Sequence, residues 1–151
     1  MGDDSRGGFS AQERAAMKAR AKELKAEAKR AKDAEKAAAD AADVEAKIAS
    51  MPDGDREMAQ RLHAIVGDAA PGLSPKLYYG QPGYARAGKI VCFFRSGQLD
   101  KLPYSTLGFS EHAQLSGAEG LWPTSYALTD PSDKAWVRIE EQVREAAGAS
   151  D

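Results

Sequence analysis

Charged and small residues fill the first third of the chain, whereas large apolar residues recur at regular spacings in the rest. From Ser10 to about Ala42 the sequence consists mainly of Ala, Lys, Arg and Glu, which are strong helix formers. Ser10 and Glu13 have the spacing of a capping box, so a helix is predicted to start there. Large apolar residues are few in this segment, which leaves the helix little surface to bury. The pattern predicts a long charged helix ahead of a folded domain.

Two shorter helices are indicated by apolar residues at helical spacing. Pro52 is expected to end or bend the helix that precedes these two. Asp53 or Asp55 is expected to cap the first of the two. Capping and a favourable interaction with the helix dipole are the preferred interpretation of the acidic cluster Asp53, Asp55 and Glu57. Near the end of the chain, Asp130 is the expected N-cap of a last helix. The predicted apolar faces are Met58, Leu62, Ile65, Val66 and Ala69 in one helix, and Trp136, Ile139, Val143 and Ala147 in the other.

Strands are predicted between these two helices. Gly80-Gln81-Pro82-Gly83 is interpreted as a turn that breaks a strand, because glycine permits positive φ and proline lacks an N–H. The sequence leaves open whether the Gln81–Pro82 bond is cis. A short helix capped by Ser110 is expected after the third strand. The predicted strands are residues 76–79, 89–95, 104–109 and 121–128.

The apolar strand at residues 89–95 is expected to lie in the centre of the sheet. Strict alternation assigns Ile90, Cys92 and Phe94 to one face. Val91 and Phe93 are then assigned to the other face.

The order of helices, antiparallel strands and a last helix predicts an α+β domain of two layers. Helices are expected to pack on an antiparallel sheet of about four to five strands. The predicted organisation is a disordered N-terminus at residues 1–8, a helical extension rich in Ala, Lys and Glu at 9–51, and the α+β domain at 52–148.

The charges of the extension allow two interpretations. Residues 14–32 carry eight basic and two acidic side chains, a local net charge of +6. Such a run attracts nucleic acid weakly, but it holds no aromatic residue for base stacking, which argues against nucleic acid as a partner. A solvated, semi-rigid arm is the preferred interpretation. Self-association or a protein partner bound through residues 9–43 is the alternative.

Several kinds of chemistry find no support in the sequence. Gly80 to Gly83 is not followed by the Lys-Ser/Thr pair of a phosphate loop, and neither His63 nor His112 has metal-ligand spacing. Cys92 is the single cysteine and is expected to be a buried, inert thiol. No signal sequence or membrane span is evident, so a cytoplasmic protein is predicted. We expect neither an enzyme nor a resident cofactor.

Candidate ligand-binding residues combine polar groups with aromatic rings on or beside the strands. Most aromatic residues are expected to fill the core, because they bury a large surface. If some line a concave face of the sheet instead, their hydroxyl groups could orient a small ligand. The candidates are His63, Tyr79, Gln81, Tyr84, Tyr104 and Trp122.

Three stretches, "PKLYYGQPGYARAGKIVCFF", "YSTLGFSEHAQL" and "LWPTSYALTD", resemble the YdhG-like family, a domain of unknown function, over residues 51–148. Gln81 stands where the family carries methionine. The resemblance implies an α+β domain with an antiparallel sheet. Some relatives are described as frataxin-like iron chaperones, which implies exposed carboxylates that bind iron weakly and deliver it to a partner. No family iron ligand maps onto a residue of this chain.

The sequence thus suggests an intracellular domain without catalytic activity that binds a small ligand or a protein partner. Iron is a candidate ligand through the family resemblance alone. The alternative is an interaction module that acts through the N-terminal helix, by self-association or by weak binding of nucleic acid.

Overall fold

The structure is a computed structural model and describes residues 10–148 of the chain. Three helices and a five-stranded antiparallel sheet confirm the predicted α+β class. The predicted disordered stretch at residues 1–8 lies outside the described residues. The elements are α1 (Ala11–Ala49), α2 (Asp53–Ala69), β1 (Ser74–Tyr78), β2 (Gln81–Arg86), β3 (Lys89–Arg95), a short 3-10 helix (Gln98–Asp100), β4 (Ser105–Phe109), β5 (Ser125–Leu128) and α3 (Asp133–Ala147).

The chain divides into two compact units between Lys36 and Ala37, within α1. In the first unit, the described part of α1 is exposed along its whole length. The predicted capping box is confirmed: the Ser10 backbone N–H donates to Glu13 Oε1 at 3.2 Å, and the Glu13 N–H donates to Ser10 Oγ at 3.0 Å. Between residues 10 and 36 the first unit is therefore a solvated helix that begins at a defined cap.

The second unit includes the last turns of α1. In the sequence-based prediction these turns belong to the extension, because the domain was predicted to begin at residue 52. Val44 and Ile48 of α1 are buried together with Met51. They belong to a core that also contains Leu62 of α2 and Val143 of α3. The apolar faces predicted for α2 and α3 thus pack on one side of the sheet.

The sheet is a meander in which each strand pairs with the next one along the chain. Tyr79 and Gly80 form the turn between β1 and β2, with φ of 49° and 76°. Ala87 and Gly88 form the turn between β2 and β3, with φ of 51° and 80°. Two consecutive residues with positive φ are what a type I′ hairpin turn requires, and this turn matches the right-handed twist of the strands.

The prediction that Gly80 to Gly83 break the strand is wrong, because Gln81 to Gly83 form the first half of β2. Tyr78 and Gln81 flank the two-residue turn and exchange hydrogen bonds, so Leu77 and Pro82 form the next pair, without hydrogen bonds between them. The nitrogen of Pro82 therefore faces away from β1, at a position that pairing with β3 does not reach. The Gln81–Pro82 bond is trans.

A β-bulge changes the predicted faces of β3. Tyr84 pairs with Cys92 and Ala85 with Ile90, so Val91 is the additional residue. Val91 is 3% exposed and belongs to the core. Ile90 lies on the opposite face, where its Cδ1 would be 2.9 Å from a Cβ atom placed on Gly83. The strict alternation predicted for Ile90 and Val91 is wrong for this reason.

Three local predictions also differ from the structure. Turns rather than a helix follow Ser110, whose Oγ accepts from the His112 N–H at 3.0 Å. The fourth predicted strand shortens to β5, which leaves Pro123 outside it. The N-cap of α3 is Ser132, whose Oγ accepts from the Ala135 N–H at 3.2 Å, instead of Asp130.

A Gly108→Ala change tests the close packing of β3 on β4. The new Cβ would overlap the ring of Phe93, so we expect a loss of about 1–3 kcal/mol in the free energy of unfolding. In a Phe93→Leu background the same change should cost clearly less, because the two positions are in contact. Urea unfolding of the four proteins measures this coupling.

Gly67→Ala is the matched control, since no atom beyond its own helix backbone and chain neighbours lies within 4 Å of its Cβ position and Gly67 sits inside α2. It should stabilise the protein by about 0.5–1 kcal/mol. Equal losses from Gly108→Ala in both backgrounds would contradict the packing argument.

Candidate functional site

The face of the sheet opposite the core, called the outer face below, carries a group of aromatic side chains. Phe93 lies here because it alternates with the buried residues Cys92 and Phe94. The rings of Tyr78 and Phe93 are 5.1 Å apart between centroids, and those of Tyr78 and Tyr79 are 4.6 Å apart in an edge-to-face arrangement. The β1–β2 turn and the centre of the sheet therefore present one continuous aromatic surface.

A depression of about 400 Å³ lies on this surface and is called the outer-face cleft. Its polar rim is an ion pair in which Arg95 Nε donates to Asp100 Oδ2 at 2.6 Å. Arg95 ends β3, and Asp100 belongs to the 3-10 helix that follows. The lining residues are Tyr78, Tyr79, Gln81, Phe93, Arg95 and Asp100.

Gln81, which lines the outer-face cleft, carries an unusual polar atom. Its side-chain Oε1 is buried and has no hydrogen-bond partner among the described residues. A buried acceptor without a partner costs about 1–3 kcal/mol in stability. Most buried polar atoms in proteins are hydrogen-bonded, so this oxygen needs a donor, which either a water molecule or a bound ligand can supply.

His63 and Tyr84, two other predicted residues, meet on the core side of the sheet instead. His63 Nδ1 lies 2.9 Å from the Tyr84 hydroxyl oxygen. The Tyr84 side chain is 1% exposed, and this burial raises the pKa of its hydroxyl group above the ordinary value. The pair satisfies a buried hydroxyl group within the fold, and it is separated from the outer-face cleft by the sheet.

Tyr104 and Trp122 join neither group. Each is 43% exposed: Tyr104 directly precedes β4, and Trp122 lies in the loop before β5. Of the six predicted residues, the structure thus brings Tyr79 and Gln81 to one cleft and pairs His63 with Tyr84.

The remaining residues of the cleft were missed by the sequence analysis. Phe93 could have been found from its alternation with Cys92 and Phe94, and Tyr78 from its place beside the turn. The Arg95–Asp100 pair depends on the path of a loop, for which the sequence offers no periodic signal.

Asp55, on α2, holds in place the loop that follows Arg95 and leads to the rim of the cleft. Its Oδ2 accepts from the Ser96 hydroxyl group at 2.6 Å and from the Gln98 backbone N–H at 3.0 Å, while Oδ1 accepts from Gln98 Nε2 at 3.0 Å. Burial alone would raise the pKa of Asp55, but the hydrogen bonds from Ser96, Gln98 and Ser105 lower it below the ordinary value. The carboxylate is therefore charged and fixes the loop to α2.

The predicted capping role of Asp53 and Asp55 is wrong. Pro52 occupies the N-cap position of α2, and no side chain caps this helix end. Asp55 is 4% exposed and points into the fold, and Asp53 pairs with Arg56 at 2.8 Å. Asp55 thus belongs to a buried network and Asp53 to a surface ion pair, while Glu57 is exposed.

Two further predicted features concern metal binding and the thiol. Among residues 10–148, no three His, Cys, Asp or Glu side chains come close enough together to hold a metal ion. Cys92 is completely buried, and this burial raises the pKa of its thiol to about 12. The thiol is therefore held in its protonated, unreactive form.

Comparison with known proteins adds no relative: no family model matches the chain, and no curated protein or solved structure does. The resemblance to the YdhG-like family stays a prediction. In the part of the chain that the structure describes, no helix has the length and apolar character needed to cross a membrane.

Replacing Asp55 by Asn tests the buried carboxylate. Asn keeps the shape, but its NH2 group opposes donors from Ser96 and Gln98. We expect a loss of about 1–3 kcal/mol in the free energy of unfolding near neutral pH. Because the folded-state pKa is lowered, the charged form stabilises the fold above the ordinary pKa of 3.8, and this contribution disappears as the pH falls below that value.

The difference between wild type and Asp55→Asn should therefore shrink in acid, as measured by urea unfolding at a series of pH values. Asp53→Asn, which changes an exposed carboxylate of the same helix, should have little effect at any pH. A difference that grows in acid would refute the role of the charged form.

Proposed function

We propose that the folded unit is a binding domain and that its outer-face cleft takes a small planar molecule. The observation that carries the proposal is the buried, unpartnered Oε1 of Gln81 beside the aromatic rings. The volume of about 400 Å³ falls within the range of small-molecule sites. A bound molecule with an N–H or O–H group would supply the donor that Gln81 lacks once its side chain turns Oε1 toward the cleft.

The walls of the cleft define the ligand further. Tyr78, Tyr79 and Phe93 offer ring edges and faces against which a planar ring can pack. The Arg95 guanidinium group carries five N–H donors, and its Nε–H is used by Asp100. An acceptor on the ligand can therefore bind at this rim. The ligand class is an aromatic or heteroaromatic ring with one donor and one acceptor group.

The proposed cellular setting is the cytoplasm. With a single cysteine, the chain forms no intrachain disulfide, and such a chain fits a reducing compartment.

Self-association through the N-terminal helix is the second candidate function. Met17 and Leu24 are 52% and 49% exposed and stand seven residues apart, so they lie on one face of α1. Light scattering of the full chain and of a Met17→Lys, Leu24→Lys variant tests this candidate. A monomeric mass for both proteins would remove it.

Gln81→Met, which introduces the residue of the YdhG-like pattern, separates stability from binding. Methionine fills a similar volume without a polar acceptor, so we expect the free energy of unfolding to rise by about 1 kcal/mol. Gln142→Met is the matched control, because Gln142 Oε1 accepts from the Tyr126 hydroxyl group at 3.1 Å. The Gln142→Met control should destabilise the protein. If Gln81→Met also destabilised it, Gln81 Oε1 would have a hydrogen-bond partner in the unbound protein.

Binding is measured by two-dimensional amide NMR of the full chain, titrated with adenine, hypoxanthine, nicotinamide and 4-hydroxybenzamide. We expect shifts at residues of β1, β2 and β3 for at least one compound. Gln81→Met should weaken that binding by roughly three- to tenfold, the share of one neutral hydrogen bond. Tyr104→Phe, a tyrosine outside the cleft, should leave the affinity unchanged. Shifts that avoid the cleft would reject the proposal.

A further inference from the structure

Most basic residues between positions 11 and 36 lie along one line on the helix. Residues 11–36 carry nine basic and five acidic side chains. Seven of the nine basic residues recur every three or four positions, with a mean spacing close to the period of an α-helix of about 3.6 residues. We call this line the basic ridge. It consists of Arg14, Lys18, Lys22, Lys25, Lys29, Lys32 and Lys36.

The ridge is long, narrow and exposed. At about 100° per residue, its seven positions fall within roughly 80° around the helix axis. At about 1.5 Å per residue, the ridge runs for about 33 Å with a cation every 5 to 6 Å. Every one of its residues is exposed, and Lys29 keeps 79% of its side chain accessible while it contacts Asp33 at 3.3 Å.

The opposite side of the same helix is electrically mixed. Arg20 lies 3.8 Å from both Glu23 and Glu27, so this cation is balanced within its own face. Cations therefore predominate on one side of residues 11–36, whereas the other side mixes both signs. A helix that needed only solubility would gain as much from interspersed charges, which also support it through i,i+4 pairs.

We propose that the basic ridge binds the phosphate backbone of a nucleic-acid duplex. A duplex carries about one negative charge per 1.7 Å of its axis, so 33 Å of duplex carries about twenty phosphates, counted over both strands. Cations at regular spacing along a helix match such a partner, whereas the small ligand proposed above binds a different unit of the chain.

Other polyanionic partners fit the helix less well. Binding at a membrane surface requires a wide apolar face, but Met17 and Leu24 are the large apolar side chains of residues 11–36. Binding of single strands depends on aromatic side chains that stack on bases, and this segment has none. The absence of aromatic residues, which argued against nucleic acid in general, applies to single strands and leaves contact with a duplex backbone intact.

The test measures binding of the full chain to labelled duplexes by fluorescence anisotropy. The probes are a DNA and an RNA duplex of about 24 base pairs with mixed sequence, and a DNA single strand of the same length. The phosphate strands wind around the duplex, so the helix contacts them over part of its length. We therefore expect three to five phosphate contacts. The logarithm of the binding constant should then fall with the logarithm of KCl concentration with a slope of about −3 to −5. The DNA and RNA arms show which duplex is preferred.

Two variants of equal net charge localise the binding. Replacing Lys18, Lys22, Lys25 and Lys29 by Gln removes the middle of the ridge and keeps good helix formers in place. This variant should lose at least tenfold in affinity at low salt, and the slope should flatten by about 2 to 3. The control replaces Lys76, Lys89, Lys101 and Lys134 of the second unit by Gln and should bind like wild type.

Three results would overturn the proposal. Equal losses of duplex affinity in the ridge variant and in the control would show that binding depends on the net charge of the chain and not on the ridge. Tighter binding of the single strand than of either duplex would point to another surface. No duplex binding at low salt, with or without binding to vesicles of anionic lipid, would exclude the partner altogether. Circular dichroism of the ridge variant verifies that the helix is retained.

Discussion

The register of the sheet decides which side chains reach the core and which reach the outer-face cleft. Because side chains alternate along a strand, a slip of one residue would exchange the two sets. Two short turns, at Tyr79–Gly80 and Ala87–Gly88, hold the first three strands in register. The bulge at Val91 then shifts the register once more, which places Val91 in the core and Ile90 on the outer face. Core and cleft are thus products of the same three local features.

The cleft also depends on a contact from the other side of the sheet. Asp55, on α2, accepts hydrogen bonds from the loop that begins just after Arg95. The same loop leads into the 3-10 helix that carries Asp100. A buried carboxylate with several donors holds a loop in one position, since moving the loop would leave a charge without partners. The rim of the cleft is therefore built on the packing between helix and sheet.

Helical periodicity made the helices predictable, since their apolar faces point to a single core. The run at residues 89–95 was predictable as a strand because it is short, apolar and rich in β-branched and aromatic residues, and its bounds agree with β3. Strand β2 was missed because Pro82 and Gly83 have low strand propensity, and the sequence does not reveal that the Pro82 nitrogen faces an unpaired position. Asp55 was misassigned because its partners are about forty residues away, at a separation that no local pattern encodes.

Cys92 has a practical consequence for studies of this protein in solution. It is the single thiol of the chain, and it sits without solvent contact in the middle of β3. A thiol reagent added to the native protein can react only in molecules whose sheet has opened, so the labelling rate counts opening events directly. The labelling of Cys92 in the wild-type chain therefore reports the kinetics of unfolding, and no probe needs to be engineered into the core.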